Sequence, residues 1–442
     1  MRPDATRQRI ALFGTFGTGN LGNEATLQAV LYNLRSHLPN AEISCICSGP
    51  QNTESQYNIP AVPIRAPFPI WKLSNMSNRE AELSGASNGS ISRTATEPHH
   101  WIKAFAKLRE SLRFCAYPFV EGYRWFKGFA KLKESKILIM TGTGMVSDFA
   151  TGPFDRHYDM FRWAVIAKLC RCKLLFLSVG GGPIRHPLSR YFVKAALALA
   201  DYRSYRDASS KDHLEAIGVD VTNDAVYPDL AFSLPKPVMP INHGPGHQRT
   251  VIGVGLMNYH NRYGRTGNDE TIYRDYLGRI ACFVVRLLER GYTVRVLIGD
   301  FVWDQDVRQD LRAELEKGGC NYEDGRIIDE PASSVDELLS QLASVDVVVA
   351  SRFHNVLLGL MLGKPALAIS YHEKFQPLMS GLGLEGFCQD IEQIDVDELI
   401  KKVVTLVEDA PRISSQIALK TESYRAALDE QYLRILKEIS PG

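Results

Sequence analysis

Arg352 and His354 follow directly on the apolar run Val347–Ala350, and Lys374 comes just after a second one, Ala366–Ser370. Both runs read as buried parallel strands. A helix is expected from Phe353 to about Leu362, stopped by Gly363 and Pro365. Ser351, Arg352 and His354 then occupy a strand–helix junction, where open α/β sheets bind ligands. A helix N-terminus at that junction offers free N–H groups and a positive dipole end. A fixed cation, a titratable imidazole and a mobile cation on one sheet edge suit an anionic small substrate that must receive a proton. Taken singly, Arg352 also fits a surface ion pair and His354 a helix cap.

The surrounding chain is organised to carry such junctions. Strand patterns near 9–14, 42–48, 136–141, 173–179 and 202–206 alternate with helical ones near 23–38, 158–171, 187–200 and 208–217. Residues 235–248 hold four prolines and two glycines and read as a linker. Strands resume near 250–257, 292–299, 326–329, 346–350 and 366–370, and a helix near 414–438 closes the chain. The expected fold is α/β, with two doubly wound Rossmann-like domains facing a cleft. The expected limits are 1–235, a linker over 236–248, 249–412, and a last helix over 413–442 crossing back to the first domain.

Three glycine turns close strands of the first domain. Gly17, Gly19 and Gly22 fit G-x-G-x-x-G, with Asn20 and Asn23 between and beside them. A dinucleotide site also needs an acidic residue at the end of the second strand, which here reads Ile46-Cys47-Ser48-Gly49. The glycines are therefore read as letting backbone approach a substrate. Gly142 with Gly144, and Gly180 with Gly182, extend that floor for sugar or phosphate oxygens. Strand 202–206 ends at Arg206-Asp207, which places Arg206 at the cleft, opposite Arg352. A plain turn, or a surface Arg206–Asp207 pair, is the alternative.

Bulk properties narrow the class. The 442 residues are 45% hydrophobic and 23% charged with a net charge of +1, so no whole-molecule field for nucleic acid exists. No apolar run has the length of a membrane span, and Met1–Gly14 lacks a signal peptide's apolar segment. The eight cysteines show no zinc spacing and read as reduced thiols. A soluble cytoplasmic protein is the expectation.

Two stretches break the α/β alternation. Residues 74–98 are rich in Ser, Asn, Gly and Thr and read as a mobile loop. Residues 101–136 carry a balance of +6 with nine interleaved aromatics, among them Trp101, Phe105, Phe114, Trp125, Phe126 and Phe129. They read either as helices with aromatic faces in the core or as a peripheral membrane contact.

The segments GTFGTGNLGNEATLQAVL, TGTG, SVGGGP, SYRDASSKDHLEAIGVDV, YPDLAF, SRFHN and GKPALAISYHEKF together resemble the polysaccharide pyruvyl transferase family. Thr143 departs from the glycine more usual there. The resemblance implies a GT-B-like fold and transfer of pyruvate from phosphoenolpyruvate to sugar hydroxyls, as a ketal, with release of phosphate. It implies no cofactor or metal, and a sugar or lipid-linked oligosaccharide as acceptor. Arg206, Arg352 and His354 match its catalytic residues, and Lys374 its substrate lysine. In this reading both arginines hold the donor's anionic groups, His354 stays protonated beside the phosphate and acts as general acid, and Lys374 neutralises the departing phosphate. The alternatives are a GT-B glycosyltransferase using a nucleotide sugar, and a non-catalytic glycan-binding or scaffold protein.

Overall fold

Strand β1 (Arg9–Gly14) shows how the chain folds: Ile10 and Leu12 enter one apolar core, Ala11 and Phe13 another. That alternation, with every residue but the first buried, is the signature of a parallel strand covered on both faces. The structure, a computed structural model, describes residues 8–67, 117–142, 144–149, 151–236, 249–261, 269–322 and 324–439. The loop 74–98, the aromatics Trp101, Phe105 and Phe114, Thr143 and nearly all of the linker lie outside the described residues.

The first sheet is parallel and seven-stranded, ordered β3-β2-β1-β4-β5-β6-β7. It comprises β1, β2 (Glu42–Cys47), β3 (Ala61–Pro63), β4 (Ile137–Thr141), β5 (Lys173–Val179), β6 (Tyr202–Tyr205) and β7 (Ala225–Val226). Its helices are α1 (Leu21–His37), α2 (Pro50–Tyr57), α3 (117–132), α4 (Tyr158–Leu169), α5 (Pro187–Ala198) and α6 (Ala208–Ala216).

The second sheet is parallel and six-stranded, ordered β10-β9-β8-β11-β12-β13. Its strands are β8 (Val251–Gly255), β9 (Thr293–Leu297), β10 (Ile327–Ile328), β11 (Val347–Ala350), β12 (Ala366–Ser370) and β13 (Cys388–Asp390). Its helices are α7 (Glu270–Glu289), α8 (Gln305–Lys317), α9 (Val335–Ala343), α10 (Phe353–Met361), α11 (Phe375–Gly381) and α12 (Val396–Glu408). Both sheets thus have the doubly wound order, reversing direction between β1 and β4 and between β8 and β11. Those reversals open the crevices where ligands bind.

The two halves are welded at this edge. Leu21 N donates to Gly299 O at 2.9 Å, and Phe301 N to Gly19 O at 3.0 Å. Helix α13 (Ala410–Ile439), about 45 Å long at 1.5 Å per residue, spans both. Gln416 Nε2 donates to Leu382 O at 2.9 Å near its start, and Gln431 Nε2 to Ser204 Oγ at 2.5 Å near its end. The strands and helix that sequence reasoning missed, β3, β7, β13 and α2, run two, three or eight residues, too short for a period to register.

Candidate functional site

The loop after β1 is rigid because it is bonded from beneath. Asn20 caps α1, its Oδ1 accepting Asn23 N at 3.1 Å. The buried Glu24 carboxylate accepts Gly17 N at 2.7 Å and the Tyr57 hydroxyl at 3.2 Å. Asn23 Nδ2 donates to Thr15 Oγ1 at 3.0 Å. This loop forms one wall of a cavity of about 160 Å³ between the two sheets, through Thr15, Asn20, Gly22 and Asn23. Arg206 comes to the same cavity from the end of β6, and Arg352 and His354 from the end of β11. Lys374 and Tyr371 reach it from the end of β12, and Gly144 and Arg156 complete it.

The cations are held in different ways. Arg352 forms a two-pronged ion pair with Asp304, its Nε donating to Oδ2 at 2.8 Å and its Nη2 to Oδ1. Asp304 is fully buried and also accepts the N–H groups of Gly299, Asp300 and Asn258. Burial opposes the Arg352 charge, but Asp304 holds the guanidinium above its usual pKa. Arg352 is therefore a neutralised strut that fixes the 299–304 loop as well as a cavity wall.

Arg206 is nearly buried. Its Nε lies 3.3 Å from Asp207, its Nη1 3.5 Å from Asp229, and its guanidinium sits 4.9 Å over the ring of Phe353. Its other side rests on Gly180, where a Cβ would come within 2.8 Å of the guanidinium carbon. Lys374 Nζ donates to the Tyr371 hydroxyl at 2.7 Å and lies 5.1 Å over the same Phe353 ring. Burial raises the Tyr371 phenol, but Lys374 and Arg352 bring it below its usual pKa. Arg206 and Lys374 thus both lie against the Phe353 ring, whose quadrupole favours cations.

His354 lies among these charges. Burial, with Lys374, Arg206 and Arg352 adding to it, pushes the imidazole down to about 4, against the opposing pull of Asp229. Its Nε2 is buried and has no hydrogen-bond partner among the described residues. With no anion in the site the imidazole is therefore neutral at pH 7, and the expected protonation beside a phosphate concerns a different, donor-bound state.

Other expected site residues serve the scaffold. Ser351 is fully buried and bonds to the Tyr276 hydroxyl at 3.0 Å, away from the cavity wall. Gly19 packs against Val302, Gly142 against the Ser178 carbonyl, and Gly182 against Ser147. Gly180 is the bed of Arg206. The open floor of backbone expected from the three turns is reduced to Gly22 and Gly144. Sequence reasoning missed Asp304, Asp229, Tyr371, Phe353 and Arg156. Asp229 and Tyr371 stood inside quoted segments, YPDLAF and SYHEK, without a role; nothing local singles out Asp304 or Arg156.

Two larger cavities adjoin. One, of about 330 Å³ and shared at Thr15 and Arg156, is lined by Ser48, Thr151, Asp155 and Asp159 on the first domain. The other, of about 550 Å³ and shared at Arg352, is lined by Asn258, Tyr259, Trp303 and Asp306 on the second.

The sequence matches the polysaccharide pyruvyl transferase family over residues 20–373. It is 25% identical over 177 residues to the amylovoran biosynthesis protein AmsJ of Erwinia amylovora, a stretch covering 40% of this chain and 42% of that protein. The chain thus spans less than half the length of this curated relative. The UDP-GlcNAc 2-epimerase of Neisseria meningitidis, solved with UDP-GlcNAc, superposes with a TM-score of 0.54 at 11% identity over 98% of this chain and 100% of that one. Anabaena Alr3699/HepE, solved with UDP and glucose, gives 0.53 at 13% identity over 98% and 100%. A glycosyltransferase of Rickettsia africae gives 0.51 at 11% identity over 98% and 99%. At these identities the likeness is one of fold, the two-domain GT-B-like arrangement.

Proposed function

We propose that this chain, which belongs to the polysaccharide pyruvyl transferase family, moves the pyruvyl group of phosphoenolpyruvate onto hydroxyls of a sugar destined for polysaccharide. The observation that carries the reading is the convergence of Arg206, Arg352 and Lys374 on the neutral, desolvated His354 in one small cavity. A three-carbon donor with a carboxylate and a phosphate matches a small site walled by cations on both sides.

Arg206 and Lys374, both against the Phe353 ring, take the two anionic groups, and Arg156 closes the first-domain side. Burial chiefly holds His354 neutral and the cations add to it; the donor's negative charge offsets those cations and pulls a proton onto the imidazole as the donor binds. His354 then delivers that proton to the enol methylene carbon, which becomes a methyl group. The electron-poor carbon left behind accepts a sugar hydroxyl, whose proton is released. The carbon–oxygen bond to phosphate breaks, and Lys374 neutralises the departing phosphate. A second hydroxyl closes the ketal and gives up its own proton. The adjoining 330 Å³ cavity, with its hydroxyls and carboxylates, is suited to the acceptor sugar.

The test is phosphate release from phosphoenolpyruvate in the presence of a panel of sugars. Thermal-shift protection by phosphoenolpyruvate is compared with that by UDP-sugars. Protection by UDP-sugars alone, with no phosphate release, would turn the assignment to a GT-B glycosyltransferase. Protection by sugars with no turnover would turn it to a glycan-binding protein.

A further inference from the structure

Helix α3 is amphipathic with an unusual outer face. Val120, Glu121, Gly128 and Leu132 face the protein. Phe119, Phe126 and Phe129, spaced seven and three apart on the opposite face, are 75%, 67% and 42% exposed. Neither Lys127, Lys131 nor Lys133 on the same helix end has an ion-pair partner among the described residues, whereas Glu121 is spent on Arg124 and Arg162 and Glu134 on Arg9. Phe119 and Phe126 share one stripe of the helix, whereas Lys127 and Lys131 lie about 100° and about 140° round from Phe126, on the flank that lines the neighbouring groove, so the rings and the unneutralised lysines occupy adjacent flanks of one helix.

Beside it runs a groove of about 500 Å³, lined by the apolar Val62, Ile64, Pro67 and Trp163 with Lys127 and Lys131 at its edge. Ile64 also lines the polar cavity, which meets the donor cavity at Thr15 and Arg156.

We infer that the outer face of α3 docks on the surface of an anionic lipid bilayer. Exposed aromatics with lysines on the adjoining flank fit the boundary between headgroups and acyl chains, where rings sink in and ammonium groups stay at the phosphates. Charge argues against a second copy as the occupant: a twofold contact brings the same cationic patch from both copies into one interface. The lysine flank borders the groove, so the groove lies at the edge of such a contact rather than under it. The lipid contact itself does not depend on the proposed reaction.

Co-sedimentation of the full chain with vesicles tests it. Phosphatidylcholine vesicles containing about 30 mol% phosphatidylglycerol are expected to bind at least about 10-fold more tightly than pure phosphatidylcholine. That binding should fall steeply between about 0.05 M and about 0.5 M salt, as the Debye length shrinks. A Phe119→Asp/Phe126→Asp variant and a Lys127→Glu/Lys131→Glu variant should each lose at least about 10-fold in vesicle affinity. The phenylalanine variant should keep its melting temperature and its phosphate release with a soluble sugar, so failure here is separable from failure of the proposed reaction. Equal binding to neutral vesicles, or unchanged binding by both variants, overturns the inference. So does a concentration-dependent dimer that Phe126→Asp dissolves while no vesicle binding is seen.

Discussion

A Cβ built on Gly22, in the first turn of α1, would lie 1.9 Å from Nδ1 of His354 at the start of α10. The imidazole is thus seated directly against the backbone of the other domain. This single contact ties the position of His354 to closure of the interface that Leu21 N and Gly299 O bridge nearby. Gly22→Ala is expected to displace His354 by about 1 Å or more and cut phosphate release by about 10²-fold, the usual cost of such a misplacement. Gly278→Ala, in α7 with nothing within 4 Å of the added methyl, is the control. It should leave turnover alone and stabilise by about 0.5–1 kcal/mol. Steady-state kinetics and chemical denaturation of both variants check the pair.

His354 should take up a proton when the donor binds. Its pKa of about 4 in the free site leaves it neutral at pH 7, and added negative charge in the cavity raises it. Calorimetric titration with phosphoenolpyruvate in buffers of different ionisation enthalpy should report uptake of about one proton per site at pH 7. His354→Gln should abolish the uptake while donor binding persists, and phosphate release should fall by about 10²–10⁴-fold. Donor binding without proton uptake by the wild-type chain would count against His354 as the acid.

Breaking the Arg352–Asp304 pair should be costly on both counts. Asp304→Asn leaves a largely desolvated guanidinium without its counter-ion, at a cost of up to about 3 kcal/mol in unfolding free energy, because the guanidinium keeps some solvent at the cavity. Arg352→Met with Asp304→Leu should recover part of that stability, because no charge is left unpaired. Turnover should stay low in the double variant, because the 299–304 loop loses the carboxylate that accepts Gly299 N and Asp300 N. Denaturant melts set beside kinetics separate the two effects.

Acid should weaken the fold below about pH 6.5. His157, His354 and His372 are each pushed down to about 4, by burial first and then by neighbouring cations. The unfolded chain therefore binds more protons than the native one between pH 6.5 and about 4. The stability these neutral imidazoles contribute is fully present above 6.5 and is lost as pH falls through that window. Each contributes a slope of up to about 1.4 kcal/mol per pH unit. Denaturation curves across this range should show the loss, and His157→Gln, at a side chain that is buried behind Arg156 and does not itself line the cavity, should flatten the slope.

The sequence by itself determined the elements and the local addresses of the chemistry. Val347–Ala350 and Ala366–Ser370 are legible because a strand buried on both faces is apolar at every position, and Gly363 with Pro365 ends the helix between them. Arg352, His354, Arg206 and Lys374 stand at strand ends in the chain, so their place on a sheet edge followed from the alternation alone. Only the tertiary structure decided what those residues meet. Asp304 is 48 residues from Arg352 and carries no local signal, yet it determines that this arginine is neutralised. Gly180 looked like a phosphate cradle, and the space beside it is filled by Arg206. The helical period of 117–132 was present in the sequence, but which face is buried depends on what packs beneath Val120 and Leu132, and three phenylalanines were left outside. The protonation state of His354 follows the same rule. A pKa is set by desolvation and by charges a few ångströms away, and those distances exist only once the two sheets have closed on one another.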